Sequence, residues 1–276
     1  KKLAFYRFDN SNVPMFPIYS AFANAEGAAS QSQSPRVTDL GLGGSVSETR
    51  YPKAGQTNPT VTICVADLDG NKVWADFEES SQQYFGPPFW SPDSKEFFVQ
   101  RMPRLQNTLD LYAINPEDGS KRHVYNETYK TWLNWIYSAI FTDSGLYMVR
   151  EFETGWQQVY FLSYDGKSFR RLTDGPNWNV AIVRVDEKKG DVYFTAKRDA
   201  VAKQALYKVD KKGVITALTD PAYNATGISF SPDGKYFVAS YSNMTTPTKV
   251  AIFPSSGKKL RQGVVVGDMQ GPDYDA

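Results

Sequence analysis

Apolar positions along this chain come in short runs rich in Val, Tyr, Phe and Ile, separated by polar clusters of Gly, Asp, Ser and Pro. Runs of that kind suit a pleated, half-buried strand, and the clusters suit tight turns. No stretch carries a long 3.6-residue apolar period with caps at both ends, so helices are not expected. The pattern predicts strands over 85–91, 96–101, 109–115 and 121–125, then over 135–142, 146–151, 156–164 and 168–172. Four strands thus fill each span of about 40–50 residues.

The turns between the runs also repeat. Asp69-Gly70, Asp118-Gly119, Asp165-Gly166, Lys212-Gly213 and Ser256-Gly257 each stand between two strand-like runs, with their glycines 49, 47, 47 and 44 residues apart. Glycine supplies the positive φ that a tight hairpin turn requires. A second marker agrees. Phe89-Trp90-Ser91-Pro92-Asp93-Ser94-Lys95 returns as Ser229-Phe230-Ser231-Pro232-Asp233-Gly234-Lys235, with weaker copies at 140–145 and 184–190. From Ser91 through Thr142 and Asp186 to Ser231 the steps are 51, 44 and 45. Proline presets φ in such a turn, and Asp and Gly tolerate it.

Two markers sharing one four-strand period predict an all-β fold, a β-propeller of four-stranded antiparallel blades. A β-sandwich with similar strand spacing is the competing architecture. The Ser-Pro-Asp turns are expected to join the first and second strands of each blade. Residues 1–8 read as a strand that follows such a turn, with its preceding strand missing. The expectation is therefore one truncated blade and four nearly complete ones, a partial arc of about five. Blades bury their faces only against neighbours, so upstream blades are expected in a longer parent. The start at Lys1, without Met or signal peptide, fits that expectation.

Charge and composition narrow the function classes. With 31 Lys+Arg against 30 Asp+Glu, the chain offers no electrostatic footprint for nucleic acid. Its apolar runs fall far short of the ~20 residues of a spanning helix, so no membrane span is expected. An apolar content of 41%, with 14% aromatic, supports a real core and excludes wholesale disorder. The single cysteine, Cys64, excludes an internal disulfide and a Cys-based zinc site; no metal and no cofactor are expected. The single histidine, His123, reads as a solvent-facing strand residue rather than a general base. No nucleophile elbow, P-loop or dinucleotide fingerprint accompanies it, and no catalytic residue is expected within the chain.

Specific runs then carry a resemblance. Asn10-Ser11-Asn12-Val13-Pro14-Met15, followed by Arg50-Tyr51-Pro52-Lys53-Ala54-Gly55-Gln56-Thr57-Asn58-Pro59-Thr60-Val61, resembles the dipeptidyl peptidase IV branch of the prolyl oligopeptidase family. Glu153-Thr154-Gly155-Trp156-Gln157-Gln158-Val159-Tyr160 and Leu172-Thr173-Asp174-Gly175-Pro176-Asn177-Trp178-Asn179-Val180 are similar to that family's later blades. The resemblance implies an eight-bladed propeller over an α/β-hydrolase domain with a Ser-Asp-His triad, removing X-Pro or X-Ala dipeptides from free N-termini. It places the propeller at 1–267 and the start of a linker to the hydrolase domain at 268–276. It also implies a glutamate pair for the substrate ammonium, located shortly before the strand matching residues 1–8 and so upstream of this chain.

For residues present here, the resemblance implies one substrate contact. A loop after a Thr-Trp lines the substrate's second subsite in the family; Thr131-Trp132 matches, with Trp135 as the nearest candidate and Trp132 and Tyr137 as alternatives. Aromatic packing between blades is the competing reading. Glu78 and Glu79 read as loop charges, and Glu151 and Glu153 as solvated hairpin charges. The family's dimerisation arm corresponds to the region around 20–47. There 15 of 28 residues are Ser, Ala or Gly, so composition predicts a flexible loop, and Met15, Phe16, Ile18 and Tyr19 are the better anchors. Expected partners are peptides with a free N-terminus, the chain's own hydrolase domain and a second copy. Sequons stand at Asn126, Asn224 and Asn243, but one cysteine, set against the disulfide-bearing propellers of the family's animal members, implies a bacterial envelope protein, periplasmic or secreted. The alternative is a stand-alone propeller that scaffolds partners.

Overall fold

Ladder hydrogen bonds organise the described residues, because their Val-, Tyr- and Phe-rich runs are interrupted every few residues by turn formers. The computed structural model describes residues 1–20, 36–39, 44–79, 82–256 and 263–268, and among these there are only strands, turns and loops. Of the linker start expected at 268–276, Asp268 ends the last strand and the rest lies outside the described residues.

Six sheets result. The first pairs β1 (Lys2–Asp9) with β5 (Thr60–Asp67) and β5 with β6 (Lys72–Trp74). A separate sheet inserted between β1 and β5 has the order β2-β4-β3, from β2 (Met15–Ser20), β3 (Arg36–Asp39) and β4 (Ser45–Arg50). The next has the order β11-β10-β9-β7: β7 (Gln83–Phe85), β9 (Phe97–Pro103), β10 (Thr108–Ile114) and β11 (Lys121–Thr128), with β8 (Phe89–Trp90) also paired to β9. Three four-stranded meanders follow. They are β12 (Ala139–Phe141) to β15 (Phe169–Arg171) through β13 (Gly145–Arg150) and β14 (Gln158–Ser163); β16 (Trp178–Asp186) to β19 (Ile215–Ala217) through β17 (Asp191–Lys197) and β18 (Ala205–Val209); and β20 (Asn224–Phe230) to β23 (Val264–Asp268) through β21 (Tyr236–Asn243) and β22 (Thr246–Pro254). All pairings with a defined register are antiparallel, for example Gly145↔Ser163 through Arg150↔Gln158. The repeat therefore is a propeller blade, and the first sheet has three strands.

The chain divides into two compact units, one of residues 1–85, 102–104 and 114–121, the other of 86–101, 105–113 and 122–276. In the first, Ile63, Cys64 and Val65 are buried on β5, while Tyr6 and Phe77 pack on Phe85. In the second, successive residues of one strand serve two cores. Val192, Phe194 and Ala196 pack with Tyr147, Val149, Val159 and Phe161, whereas the intervening Tyr193 packs with Phe237 and Phe253. Inner strands covered on both faces need no polar alternation, which is why they read as continuous apolar runs. Each such Phe, Val or Leu contributes about 1.5–3 kcal/mol by leaving water.

Both turn markers sit where the pattern predicts. Ser91-Pro92-Asp93-Ser94 joins β8 to β9, and Ser231-Pro232-Asp233-Gly234 joins β20 to β21. In each, the serine hydroxyl lies 2.7 Å from the aspartate Oδ1, which also accepts the backbone N–H of Lys95 or Lys235. The Asp-Gly glycines have φ of 86° (Gly70), 76° (Gly119) and 74° (Gly166). Gly119 and Gly166 also permit a close approach. A Cβ on Gly119 would lie 2.0 Å from Trp74 O, and one on Gly166 2.5 Å from Val124 O.

Three expectations are corrected. The strand predicted over 85–91 is two strands, because Pro87 and Pro88 cannot donate to a ladder. Residues 135–138, predicted as strand, are loop; only Ala139–Phe141 pairs with β13. The region 20–47 is not loop throughout: β4 pairs with β2 from Met15↔Arg50 to Ser20↔Ser45, and β3 adds Arg36↔Glu48 to Asp39↔Ser45. Backbone ladders need no apolar alternation, so composition misses them. Residues 21–35 and 40–43 of that region lie outside the described residues.

Candidate functional site

The connection from β11 to β12 carries all three predicted subsite residues. Two buried side chains pin it, Leu133 and Ile136. Its backbone is held by Tyr129 N–H to Asn107 O and Leu133 N–H to Gln106 O, both 2.9 Å. At its far end the wholly buried Gln100 amide grips Ile136 twice. Its Oε1 accepts the Ile136 N–H at 2.6 Å, and its Nε2 donates to Ile136 O at 3.2 Å and to Pro87 O at 2.9 Å. The loop is thus fixed by groups that would each cost about 1–3 kcal/mol if left unpaired.

Pinning the loop this way sets the three aromatics apart. Trp135 is half-buried, and its indole lies against Gly86, where a Cβ would sit 2.5 Å from Cε3. Trp132 is exposed, and Tyr137 more so, at 71%. Trp135 and Tyr137, but not Trp132, line a cleft of about 160 Å3 together with Asn134, Ser138, Glu151, Gln157 and Val180.

Glu151, expected to be a solvated charge, is instead half-buried in this cleft. Asn134 Nδ2 donates to its Oε1, and Gln157 Nε2 to its Oε2 at 3.3 Å. Gln157 in turn accepts the Val180 N–H at 2.8 Å, so the cleft wall is tied to β16. Glu153 is likewise engaged: it accepts the Tyr160 hydroxyl at 2.7 Å and pairs with Arg171 at 3.2 Å. Burial, followed by that carboxylate, raises the Tyr160 pKa, so it donates as a neutral phenol.

Arg150, which also lines the cleft, belongs to an ion pair that the sequence pattern does not announce. Arg150 Nε and Nη2 donate to the two oxygens of Glu127 at 2.7 and 2.9 Å, both side chains being about 1% exposed. Arg150 Nη1 also donates to Asn134 O at 2.9 Å, and the Tyr125 hydroxyl to Glu127 at 2.7 Å. Burial opposes the arginine charge, but the bonds and attraction of Glu127 outweigh it and hold the pKa above its ordinary value. For Tyr125, burial and then the Glu127 charge raise the pKa. A polar residue at an inward strand position is the only signal that marks such groups in a sequence. A parallel clamp holds the next connection. Buried Gln158 accepts from Thr173 and Asn177 and donates to Gly175 O, giving 173–177 its shape.

The remaining predicted residues lie elsewhere. His123 has a polar partner after all: its Nε2 is 3.1 Å from Asp110 Oδ1, which also accepts from Asn126 at 2.8 Å. That partner is an acid, not a nucleophile, so the contact is an Asp–His hydrogen bond and not a triad. Glu78 and Glu79 are exposed on the connection after β6. In the inserted sheet Met15, Ile18 and Tyr19 are exposed, while Phe16 is half-buried against Tyr51, with Lys53 Nζ 4.5 Å from its ring centre. No cluster of metal-ligating residues occurs among the described residues.

Sheets of four antiparallel strands, repeating with Ser-Pro-Asp and Asp-Gly turns, define a β-propeller chain with a pinned aromatic loop. The chain belongs to the family described as the dipeptidyl peptidase IV (DPP IV) N-terminal region, whose model matches residues 1–248. Among curated relatives, it is 26% identical over 263 residues to "Probable dipeptidyl peptidase 4" of Emericella nidulans, covering 89% of this chain and 32% of that protein. It is 27% identical over 277 residues to "Probable dipeptidyl-aminopeptidase B" of Aspergillus clavatus, covering 91% and 29%. Among solved structures, Porphyromonas gingivalis dipeptidyl peptidase 4 superposes with a TM-score of 0.76 at 26% identity, over 97% of this chain and 35% of that one. The chain thus spans about a third of the length of these relatives.

Proposed function

We propose that the chain is the non-catalytic propeller portion of a serine exopeptidase that releases X-Pro or X-Ala dipeptides from peptide N-termini. The observation that carries this reading is the family match over residues 1–248. Hydrolysis belongs, in this reading, to an α/β-hydrolase domain elsewhere in the parent protein, with a Ser-Asp-His triad. The propeller, eight-bladed when complete, gates and positions the substrate. Its contribution here is the loop of Trp135, which walls the substrate's second subsite. The Gln100 clamp and the Gly86 seat support that role, because a subsite wall needs a rotamer held by its surroundings.

The inserted sheet pairs two copies through Met15, Ile18 and Tyr19, and the parent works in the bacterial envelope. Exposed apolar side chains on a short two-sided ladder support the assembly reading. Two tests apply. The parent reading frame is expected to hold Gly-x-Ser-x-Gly with Asp and His beyond it; its absence favours a stand-alone interaction scaffold. In the parent enzyme, Trp135→Ala is expected to raise KM for a Gly-Pro chromogenic substrate about tenfold, as loss of a buried aromatic contact. An unchanged KM removes Trp135 from the subsite.

A further inference from the structure

We propose that the cleft between Trp135 and Glu151 accepts a cationic side chain, so that the site favours a peptide whose first residue is Lys or Arg. This rests on the reading of the Trp135 loop as a substrate wall; the charge argument comes from the cleft itself.

Glu151 is half-buried, and both of its oxygens are held by amide N–H groups, from Asn134 and Gln157, with no ion pair among the described residues. Arg150 also lines the cleft and attracts Glu151, but its donors point elsewhere. That guanidinium is spent on both oxygens of Glu127 and on Asn134 O. The Arg150 side chain is only about 1% exposed and bonded to both oxygens of Glu127, which leaves Glu151 as the partly exposed charge of the cleft. A carboxylate with restricted water access gains more from a cation than from any neutral donor.

The walls point the same way. Trp135 and Tyr137 line the cleft that Glu151 also lines, and an aromatic residue beside a carboxylate is a recognised setting for an ammonium or guanidinium group. At about 160 Å3 the cleft is well below the roughly 300–1,000 Å3 of pockets that hold whole small ligands. It fits one extended side chain. The methylene stem of lysine would lie along the indole and carry its ammonium to Glu151.

The test uses the chain itself with two probes, lysyl-alanine amide and norleucyl-alanine amide, which share the α-ammonium and differ only in side-chain charge. Binding is followed by NMR at the indole N–H signals of the six tryptophans. The lysyl amide is expected to bind about tenfold tighter than the norleucyl amide, with the Trp135 signal moving most. In Glu151→Gln the ratio is expected to fall to about one. Tyr137→Ala, at an exposed position that folding does not depend on, is expected to weaken the lysyl amide about threefold. Equal affinities in the unaltered chain, a ratio that survives Glu151→Gln, or binding of neither amide overturns the proposal. The outcome separates from that of the parent activity. A parent that releases no dipeptides defeats the functional reading while the affinity ratio stands. A parent that releases them, paired with a ratio of one, defeats only the cation subsite.

Discussion

Arg150 and Glu127 are the most consequential side chains in the second unit. Two charges about 1% exposed are tolerated because a two-pronged guanidinium contact, the Tyr125 hydroxyl and Asn134 O satisfy them together. Removing one partner leaves the other charge buried and uncompensated. Arg150→Met is therefore expected to lower stability by about 3–5 kcal/mol, measured by urea unfolding of the chain. The double change Arg150→Met with Glu127→Leu is expected to cost well under the single change. Equal losses would show that packing, not charge, dominates. These two residues are 23 positions apart on neighbouring sheets, and nothing in local periodicity connects them. The Ser-Pro-Asp turns are the opposite case, with the hydrogen bonds of their Ser and Asp side chains all within five residues. In one of them the Lys235 N–H and then the Ser231 hydroxyl hold the Asp233 pKa down to about 2. Its folded-state value lies below the unfolded one, so its stabilisation is present above the unfolded pKa near 3.8 and is lost as pH falls toward about 2. Asp233→Asn is expected to flatten the acid limb of thermal stability in that window; an unaltered limb would contradict the assignment.

At the scale of elements, what was legible was what local chemistry determines. The Asp-Gly period was read from turn residues, and those turns do close β5-β6, β10-β11, β14-β15 and β18-β19. The loop over 135–138 carries a strand-like apolar pattern, but its backbone is claimed by Gln100, 36 residues away, rather than by a ladder. Likewise β3 and part of β4 escaped notice because Ser, Thr and charged residues give no apolar alternation. Of the candidate site, the aromatics were legible from their motif, whereas the Glu151 amide cradle exists only once two loops meet. Repeat glycines offer a clean test of element docking. Gly166 and Gly213 have similar φ, 74° and 80°, but only Gly166 meets a neighbouring backbone. Gly166→Ala is expected to destabilise by at least about 1–2 kcal/mol more than Gly213→Ala, since both bear the left-handed penalty and only one adds a clash. Equal losses by calorimetry would remove the docking role.

For the whole molecule, the proposal divides labour between this chain and a catalytic domain in the parent protein. In the proposed assembly Phe16 packs under Lys53 within its own unit, so the exposed Met15, Ile18 and Tyr19 are the informative positions. Met15→Ala with Tyr19→Ala is expected to convert a dimer to a monomer in light scattering, and a dimer that persists rejects these anchors. The division of labour itself is tested most directly by steady-state hydrolysis of Gly-Pro p-nitroanilide, with the parent protein and this chain side by side. The account predicts turnover by the parent, none on the N-acetylated substrate, and the uncatalysed rate for the chain alone. Turnover by the chain that survives repurification, or a parent inert toward the free dipeptide substrate, would contradict it.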